Sequence, residues 1–121
     1  MGRILVMEDD DTIRLALRKA LSQAGHEVLE ASNGAEGARI YRQSPHPDLI
    51  ITDILMPDQD GVEALLDLRT TLPQVKIIVI SGNAQEFLPI AEDLGAHRTF
   101  AKPFKSQEVI AAVADLLSGA S

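Results

Sequence analysis

Residues 49–57 read LIITDILMP, and this segment decides the fold. An apolar run that turn signals bound on both sides is typical of a strand buried on both faces of a sheet. The pattern predicts a strand over 49–56, and Pro57 with the polar residues after it ends that strand in a loop. Asp53 brings a carboxylate to the point where a buried strand reaches water. Ligands of open α/β sheets bind beyond the carboxyl ends of the strands, so Asp53 is a candidate site residue.

Composition narrows the classes of function. The 121 residues suit one domain, residues 1–121, with a substantial core. The net charge of −7 argues against nucleic acid as a partner, and no DNA-binding domain is expected. The absence of cysteine excludes disulfides, thiol catalysis and thiolate metal sites. No apolar run approaches the ~18 residues of a membrane helix and no signal peptide is visible, so we expect a cytoplasmic protein without a membrane partner.

Strand-like and helix-like segments alternate along the whole chain. The predicted strands cover 3–7, 27–31, 49–56, 75–80 and 97–101. Such alternation favours a parallel sheet with helices on both faces. Right-handed crossovers leave few arrangements, and we predict the doubly wound α/β order 2-1-3-4-5, with five flanking helices.

Several residues mark the predicted helix ends. Asp10 or Asp11 caps the first helix, and Gly25 ends it with a left-handed turn. A fourth helix is predicted to follow residues 81–83 and to end before Gly95, with Pro89 tolerated only in its first turn. Ser106 is expected to cap the last helix.

The residues just past the strands carry the chemistry. The first strand is followed by Glu8 and Asp9, the third contains Asp53, the fourth is followed by Ser81 and the fifth by Lys102. In the order 2-1-3-4-5 these four strands are neighbours, so their polar side chains share one edge of the sheet. The sequence therefore predicts three carboxylates, one hydroxyl and one ammonium around a common point.

A divalent cation resolves the repulsion among three such carboxylates. Carboxylates, a backbone carbonyl and water are the ligand set that Mg²⁺ prefers. Carboxylates also act as nucleophiles towards phosphorus and form aspartyl phosphates. That transfer needs positioning and charge neutralisation, which Mg²⁺ and Lys102 would supply, while Ser81 would donate a hydrogen bond to a phosphoryl oxygen.

The chain resembles a response-regulator receiver domain over essentially its whole length. The matching pieces, in order at the family spacing, are Val6-Met7-Glu8-Asp9-Asp10, Asp53 with Met56-Pro57 and Asp60-Gly61, Ser81, Gly95-Ala96 and Lys102-Pro103-Phe104. The resemblance implies a flavodoxin-like fold with the five-stranded sheet described above.

The resemblance also implies the roles of the acidic residues. Asp53 would be the phosphoacceptor, and Glu8 and Asp9 would form the acidic pocket. Mg²⁺ would be held in that pocket, with Asp9, Asp53 and the backbone carbonyl of Leu55 as its ligands.

The switch residues depart from the family pattern. By resemblance, Ser81 is the switch hydroxyl and Lys102 the family lysine, whose bond to Pro103 is cis. The family usually has Tyr or Phe three residues before the lysine, where this chain has Thr99. Phe100 lies next to it but has the opposite strand parity, so it does not simply substitute.

A second departure concerns phosphoryl lifetime. Leu55 stands two residues after the phosphoacceptor, where polar side chains are frequent in the family. An apolar side chain cannot orient a hydrolytic water. We therefore expect a long-lived phosphoryl group on Asp53, which Asn83 also modulates.

The resemblance implies a phosphorylation-dependent signalling switch. A sensor histidine kinase or a histidine phosphotransfer protein would phosphorylate Asp53. An unidentified partner protein would read the change on the face formed by the fourth helix, the fifth strand and the last helix. The chain would catalyse its own phosphorylation and slow dephosphorylation, and would otherwise not be an enzyme.

Three alternative hypotheses of function remain open at this point. A phosphorylation-independent interaction module would keep the pocket as a relic, and the departure at Thr99 favours it. An aspartate-based phosphatase of the haloacid-dehalogenase type would need a second Asp in the place of Leu55. A flavodoxin-like cofactor binder would need more aromatic side chains than the 3% of this chain. His26, His46 and His97 follow no ligand spacing and are predicted to be surface residues.

Overall fold

The computed structural model of the chain describes residues 2–53, 55–56, 59–82 and 84–119. Its strands and helices alternate in chain order as β1 (Arg3–Met7), α1 (Asp11–Gln23), β2 (Glu27–Ala31), α2 (Gly34–Tyr41), β3 (Leu49–Asp53), β4 (Leu55–Met56), β5 (Gln59–Asp60), α3 (Gly61–Thr71), β6 (Lys76–Ser81), α4 (Ala84–Asp93), β7 (Arg98–Ala101) and α5 (Ser106–Leu117). No helix in this part of the chain is both long and apolar enough to cross a membrane.

The main sheet has the order β2-β1-β3-β6-β7, and all of its strand pairs are parallel. This confirms the predicted order 2-1-3-4-5. The register pairs Met7 with Thr52 and Asp53 with Ile80. Because the strands are parallel and in step, their carboxyl ends meet at one edge.

Helices cover both faces of the sheet, and strand parity decides which face each side chain meets. Leu5, Ile50 and Ile77 are among the sheet residues that form one core with α2, α3 and α4. The other core packs the alternate sheet residues against α1 and α5; its buried members are Ile4, Val6, Leu17, Leu21, Leu49, Ile51, Ile78, Ile80, Val109, Ala112, Val113 and Leu116.

In the segment 49–57, the strand is shorter than the run of apolar residues predicts. The strand predicted over 49–56 is wrong beyond Asp53, where β3 ends. β1 ends at Met7, opposite Thr52, and the last residue pair of β3 with β6 is Asp53 with Ile80. Instead, Leu55–Met56 pairs with Gln59–Asp60 in a two-stranded antiparallel ribbon.

The helix ends agree with the sequence in part. The carboxylate of Asp10 accepts hydrogen bonds from the backbone N–H groups of Thr12 and Ile13, so Asp10 is the predicted cap of α1. Gly25 follows with φ of 96°, as predicted. The prediction for Pro89 was wrong, because α4 begins at Ala84 and continues past the proline.

The last helix corrects another expectation. The residue at the N-cap position of α5 is Lys105, with no side-chain cap bond, and Ser106 is already helical. Ser106 follows the sequence pattern of a cap, but the backbone turns into the helix one residue earlier than the pattern suggests.

Two of the three histidines are not simple surface residues. His26 and His97 are half-buried, and each accepts a backbone N–H at Nδ1, from Gly2 at 3.0 Å and from Ile77 at 3.1 Å. His46 is exposed, as predicted, and its Nδ1 lies 3.0 Å from the carbonyl of Tyr41.

Candidate functional site

Glu8 is a fully buried acid immediately after β1. Its backbone N–H donates to the carbonyl of Ala31 at 3.0 Å, which extends the contact of β1 with β2 by one bond. Its Oε2 accepts the backbone N–H of Asp10 at 3.0 Å. The strand therefore carries a carboxylate into the interior at the edge where the strands end.

Lys102 joins the acids of two strands. It follows β7, and its backbone N–H donates to the carbonyl of Ser81 at 2.9 Å. Its ammonium lies 2.7 Å from Glu8 Oε1 and 2.5 Å from Oδ2 of Asp53, which is only 3% exposed. The bond from Lys102 to Pro103 is cis, as the resemblance implied.

The pocket is short of positive charge. Burial raises the pKa of Glu8 to about 7, against the lowering effects of Lys102 and the Asp10 N–H, and the charge of Asp53 raises it further. Burial lowers the pKa of Lys102, but the hydrogen bonds and charges of Asp53 and Glu8 outweigh burial and leave that pKa raised. One ammonium therefore does not fully offset the carboxylates around it.

The three predicted carboxylates converge as a set of metal ligands. Glu8, Asp9 and Asp53 each offer an oxygen, and these oxygens lie within 4.8 Å of one another. Glu8 and Asp53 are buried, whereas Asp9 is exposed, so the cluster opens to solvent on one side. Hard oxygen donors with an excess of negative charge fit Mg²⁺.

The structure brings most of the predicted site residues together. Ser81 ends β6 fully buried, and its carbonyl bonds the backbone of Lys102. Asn83 and the side chain of Leu55 lie outside the described residues. The predictions for a metal-binding carbonyl at Leu55 and for modulation by Leu55 and Asn83 therefore stay predictions.

Thr99 and Phe100 face opposite sides of the sheet, as their parity requires. The hydroxyl of Thr99 donates to Glu92 Oε1 on α4 at 3.2 Å. Phe100 packs instead against the core that α1 and α5 form with the sheet. At the position where the resemblance implied an aromatic ring, this chain has a hydrogen bond between β7 and α4.

Sequence reasoning missed two residues that brace the site. The hydroxyl of Thr52 donates to the carbonyl of Asp53 at 3.1 Å. Arg14 Nη1 donates to the carbonyl of Glu8 at 2.8 Å, and its Nη2 pairs with Asp11 at 2.5 Å. The spacing of Asp11 and Arg14 predicts only their pairing on one helix face. A side-chain bond to a backbone carbonyl leaves no sequence pattern.

Comparison with known proteins gives one consistent result. A family model described as the response regulator receiver domain matches residues 4–114. The chemotaxis protein CheY of Thermotoga maritima is 34% identical over 113 residues, which are 92% of this chain and 93% of that protein. The sensor kinase CckA of Brucella abortus is 33% identical over 118 residues, 94% of this chain but 12% of the kinase.

Solved structures agree with the sequence comparison. The response regulator protein TrrA from Thermotoga maritima, in complex with Mg(2+)-BeF, matches with a TM-score of 0.85 and 30% identity. The match covers 96% of this chain and 99% of that chain. Both the fold and the sequence relationship therefore extend over nearly all of the 121 residues.

Proposed function

The chain belongs to the response regulator receiver domain family, and we propose that it acts as a phosphorylation-dependent switch whose phosphoacceptor is Asp53. The observation that carries this proposal is the surroundings of Asp53. Its carboxylate is buried beside two further acids, within 2.5 Å of an ammonium, at the open end of the sheet. A buried carboxylate so placed is suited to accept a phosphoryl group and then have its new charge offset.

The proposed donor is a phosphohistidine on a sensor histidine kinase or a histidine phosphotransfer protein. An oxygen of Asp53 forms a bond to phosphorus while the P–N bond breaks, and the donor imidazole keeps the electron pair and takes up a proton. Lys102 stays close to the charge that builds up on the phosphoryl oxygens. Mg²⁺, when held by the acidic pocket and the carbonyl of Leu55, would supply further positive charge to those oxygens.

We propose that the structural change caused by phosphorylation is transmitted from the pocket to β7. The Lys102 N–H bonds the Ser81 carbonyl, so movement of the Ser81 hydroxyl or the lysine acts on the end of β7. The bond of Thr99 to Glu92 continues that path to α4. We propose that a partner protein in the cytoplasm reads the face formed by α4, β7 and α5.

The assignment of Asp53 is tested with labelled acetyl phosphate and Mg²⁺. The parent should take up one label, and Asp53→Asn should take up none. Asp115→Asn is the matched control and should label like the parent, because Asp115 is exposed near the end of α5 and lies outside the acidic cluster. Labelling of Asp53→Asn at the parental level would refute the assignment.

The readout is tested with beryllofluoride as a phosphate mimic. We expect amide NMR shifts at Thr99 and Glu92 as well as around the pocket. Shifts confined to the pocket, together with unchanged partner binding, would favour the interaction module that keeps the pocket as a relic.

We also propose that the chain catalyses only its own phosphorylation and its own slow dephosphorylation. The support for this proposal is the apolar Leu55, two residues after the phosphoacceptor in the sequence. Leu55→Asn should lose phosphate faster than the parent, and an equal rate would contradict the idea. Turnover of a generic phosphatase substrate by the parent would revive the phosphatase reading.

A further inference from the structure

We propose that Arg14 is a positioning residue for the acidic pocket, because it fixes the backbone that carries Asp9 and so sets where that carboxylate meets Glu8 and Asp53. The inference rests on the proposed function of the pocket. It adds a basic residue to a site that is otherwise described by its acids and its lysine.

Arg14 contacts the chain on both sides of Asp9. Its side chain donates to the carbonyl of Glu8 at 2.8 Å. Its backbone N–H makes the ordinary first helical bond of α1, to the carbonyl of Asp10 at 2.9 Å, so only the bond to Glu8 depends on the side chain. The neighbouring residues are themselves tied, since the Glu8 N–H bonds Ala31 and the Asp10 N–H bonds the Glu8 carboxylate. Asp9 is the exposed acid of the cluster, so its position depends on this backbone more than on packing.

The guanidinium of Arg14 is itself anchored by two carboxylates. Nη2 lies 2.5 Å from Asp11 Oδ1 on α1, and Nε lies 3.5 Å from Glu30 Oε1 on β2. The side chain is only 18% exposed. A planar fork held by two carboxylates loses little freedom when it bonds a third oxygen, so Arg14 can act as a rigid brace between α1, β2 and the acidic loop.

The effect of removing Arg14 on Mg²⁺ binding distinguishes a positioning role from a purely electrostatic one. If only its charge mattered, Arg14 would repel a divalent cation nearby, and its removal would strengthen Mg²⁺ binding. If it positions the ligands, its removal must weaken binding, as the loss of a group that orients metal ligands commonly does. The two roles therefore predict changes of opposite sign.

The experiment measures the Mg²⁺ dissociation constant by amide NMR for the parent and three variants. We expect Arg14→Ala to weaken binding about tenfold. Arg14→Lys should also weaken it clearly, because an ammonium keeps the charge but cannot bond three oxygens as a fork. Arg18→Ala should stay within about twofold, because Arg18 pairs with the same Glu30, at 3.3 Å, but lies one helical turn farther from Glu8.

A second readout needs no metal. In the metal-free protein the amide signals of Asp9 and Asp10 should shift and exchange faster in both Arg14 variants, and should be unchanged in Arg18→Ala. If Arg14→Ala does not fold, Arg14→Lys carries the test on both readouts.

Three results would overturn the inference: Arg14→Ala binding Mg²⁺ as tightly as the parent or more tightly, Arg14→Lys matching the parent, or Arg18→Ala losing as much as Arg14→Ala. A failure of the proposed function would give a different result from these three. If the parent itself neither binds Mg²⁺ nor takes label on Asp53, the proposed function falls and this inference with it.

Discussion

At the scale of single residues, the site is an electrostatic compromise around Lys102. Its ammonium contacts two carboxylates that are each almost completely buried, Glu8 and Asp53. Breaking such a contact by removing one partner is costly, because a charge is left buried without compensation. The stability of the metal-free protein should therefore depend on this lysine.

Replacement of Lys102 by Met tests that dependence, since methionine keeps the apolar stem and removes the charge. We expect the free energy of unfolding without divalent cations to fall by about 2 kcal/mol, less than for a fully buried pair because the lysine is partly exposed. Mg²⁺ should restore more stability to the variant than to the parent. Urea unfolding with and without Mg²⁺ measures both effects.

Lys105→Ala is the control, because Lys105 is exposed and should change stability by less than about 0.5 kcal/mol. An equal loss in the two variants, or an equal gain on adding Mg²⁺ to Lys102→Met and to the parent, would contradict the expectation.

The acids and the lysine of the site were predictable, because a residue at the carboxyl end of a parallel strand, or directly after it, must lie at the common edge. Glu8, Asp53 and Lys102 all follow that rule. Arg14 and Thr52 were not predictable, since each bonds a backbone carbonyl, and such bonds depend on how closely two segments approach. Sequence reading therefore finds the groups at the centre of the site more readily than those that brace it.

At the scale of elements, helix α2 approaches the sheet closely at Gly37. A Cβ added there would lie 2.5 Å from Met7 Cε and 2.8 Å from Met7 Sδ. Met7 is fully buried in β1, so its side chain has little room to withdraw. The glycine therefore lets α2 pack directly on the strand that leads to the acidic pocket.

A double-mutant cycle tests that approach. Gly37→Ala alone should destabilise the protein by about 1 kcal/mol, because overpacking of about 2 kcal/mol exceeds the gain in helix propensity of about 1 kcal/mol. In a Met7→Ala background the same change should stabilise by about 1 kcal/mol, because only the propensity gain remains. Urea unfolding of the four proteins gives the coupling energy, and a coupling near zero would refute the close contact.

Pro89 gives a prediction for α4. It is an exposed residue inside the helix, where proline removes a backbone hydrogen bond and crowds the preceding turn. Pro89→Ala should raise the free energy of unfolding by about 1–3 kcal/mol and slow amide exchange in α4. A variant that is less stable than the parent would show that the proline supports α4 instead of weakening it. The result bears on the proposed readout face, because α4 is part of that face.

The strand order and the placement of helices on both faces follow from the alternation of apolar segments, and the sequence predicted them correctly. The end of β3 and the ribbon of β4 and β5 were missed for a physical reason. Ile54, Leu55 and Met56 extend the apolar run in the sequence, but the pairing of β3 with β1 ends at Thr52 and its pairing with β6 ends at Asp53. Local composition does not report where a partner stops.

At the scale of the whole molecule, pH changes the stability through ionisable groups whose contributions have opposite signs. The raised pKa of Glu8 means that the folded protein binds a proton more readily than the unfolded chain, so this residue adds stability as pH falls from about 7 towards 4.5. His26 and His97 have lowered pKa values, mainly because of burial, and they act in the opposite direction. The pH dependence of the parent alone is therefore a mixture.

His97 can be isolated by difference. Burial and the positive charges of Lys76, Arg69 and Arg98 hold its pKa below the ordinary 6.5. The folded protein then binds fewer protons than the unfolded chain, so the contribution of His97 to stability is complete above pH 6.5 and is lost as pH falls below that value.

His97→Asn removes the titration and keeps an acceptor for the Ile77 N–H. Between pH 7.5 and 5.5 the parent should lose about 0.5 kcal/mol more stability than the variant, a modest value because the ring is partly exposed. The contribution of Glu8 cancels in this comparison, and the exposed His46 replaced by Asn serves as the control. Parallel pH profiles for the parent and His97→Asn would show that the lowered pKa does not contribute to stability.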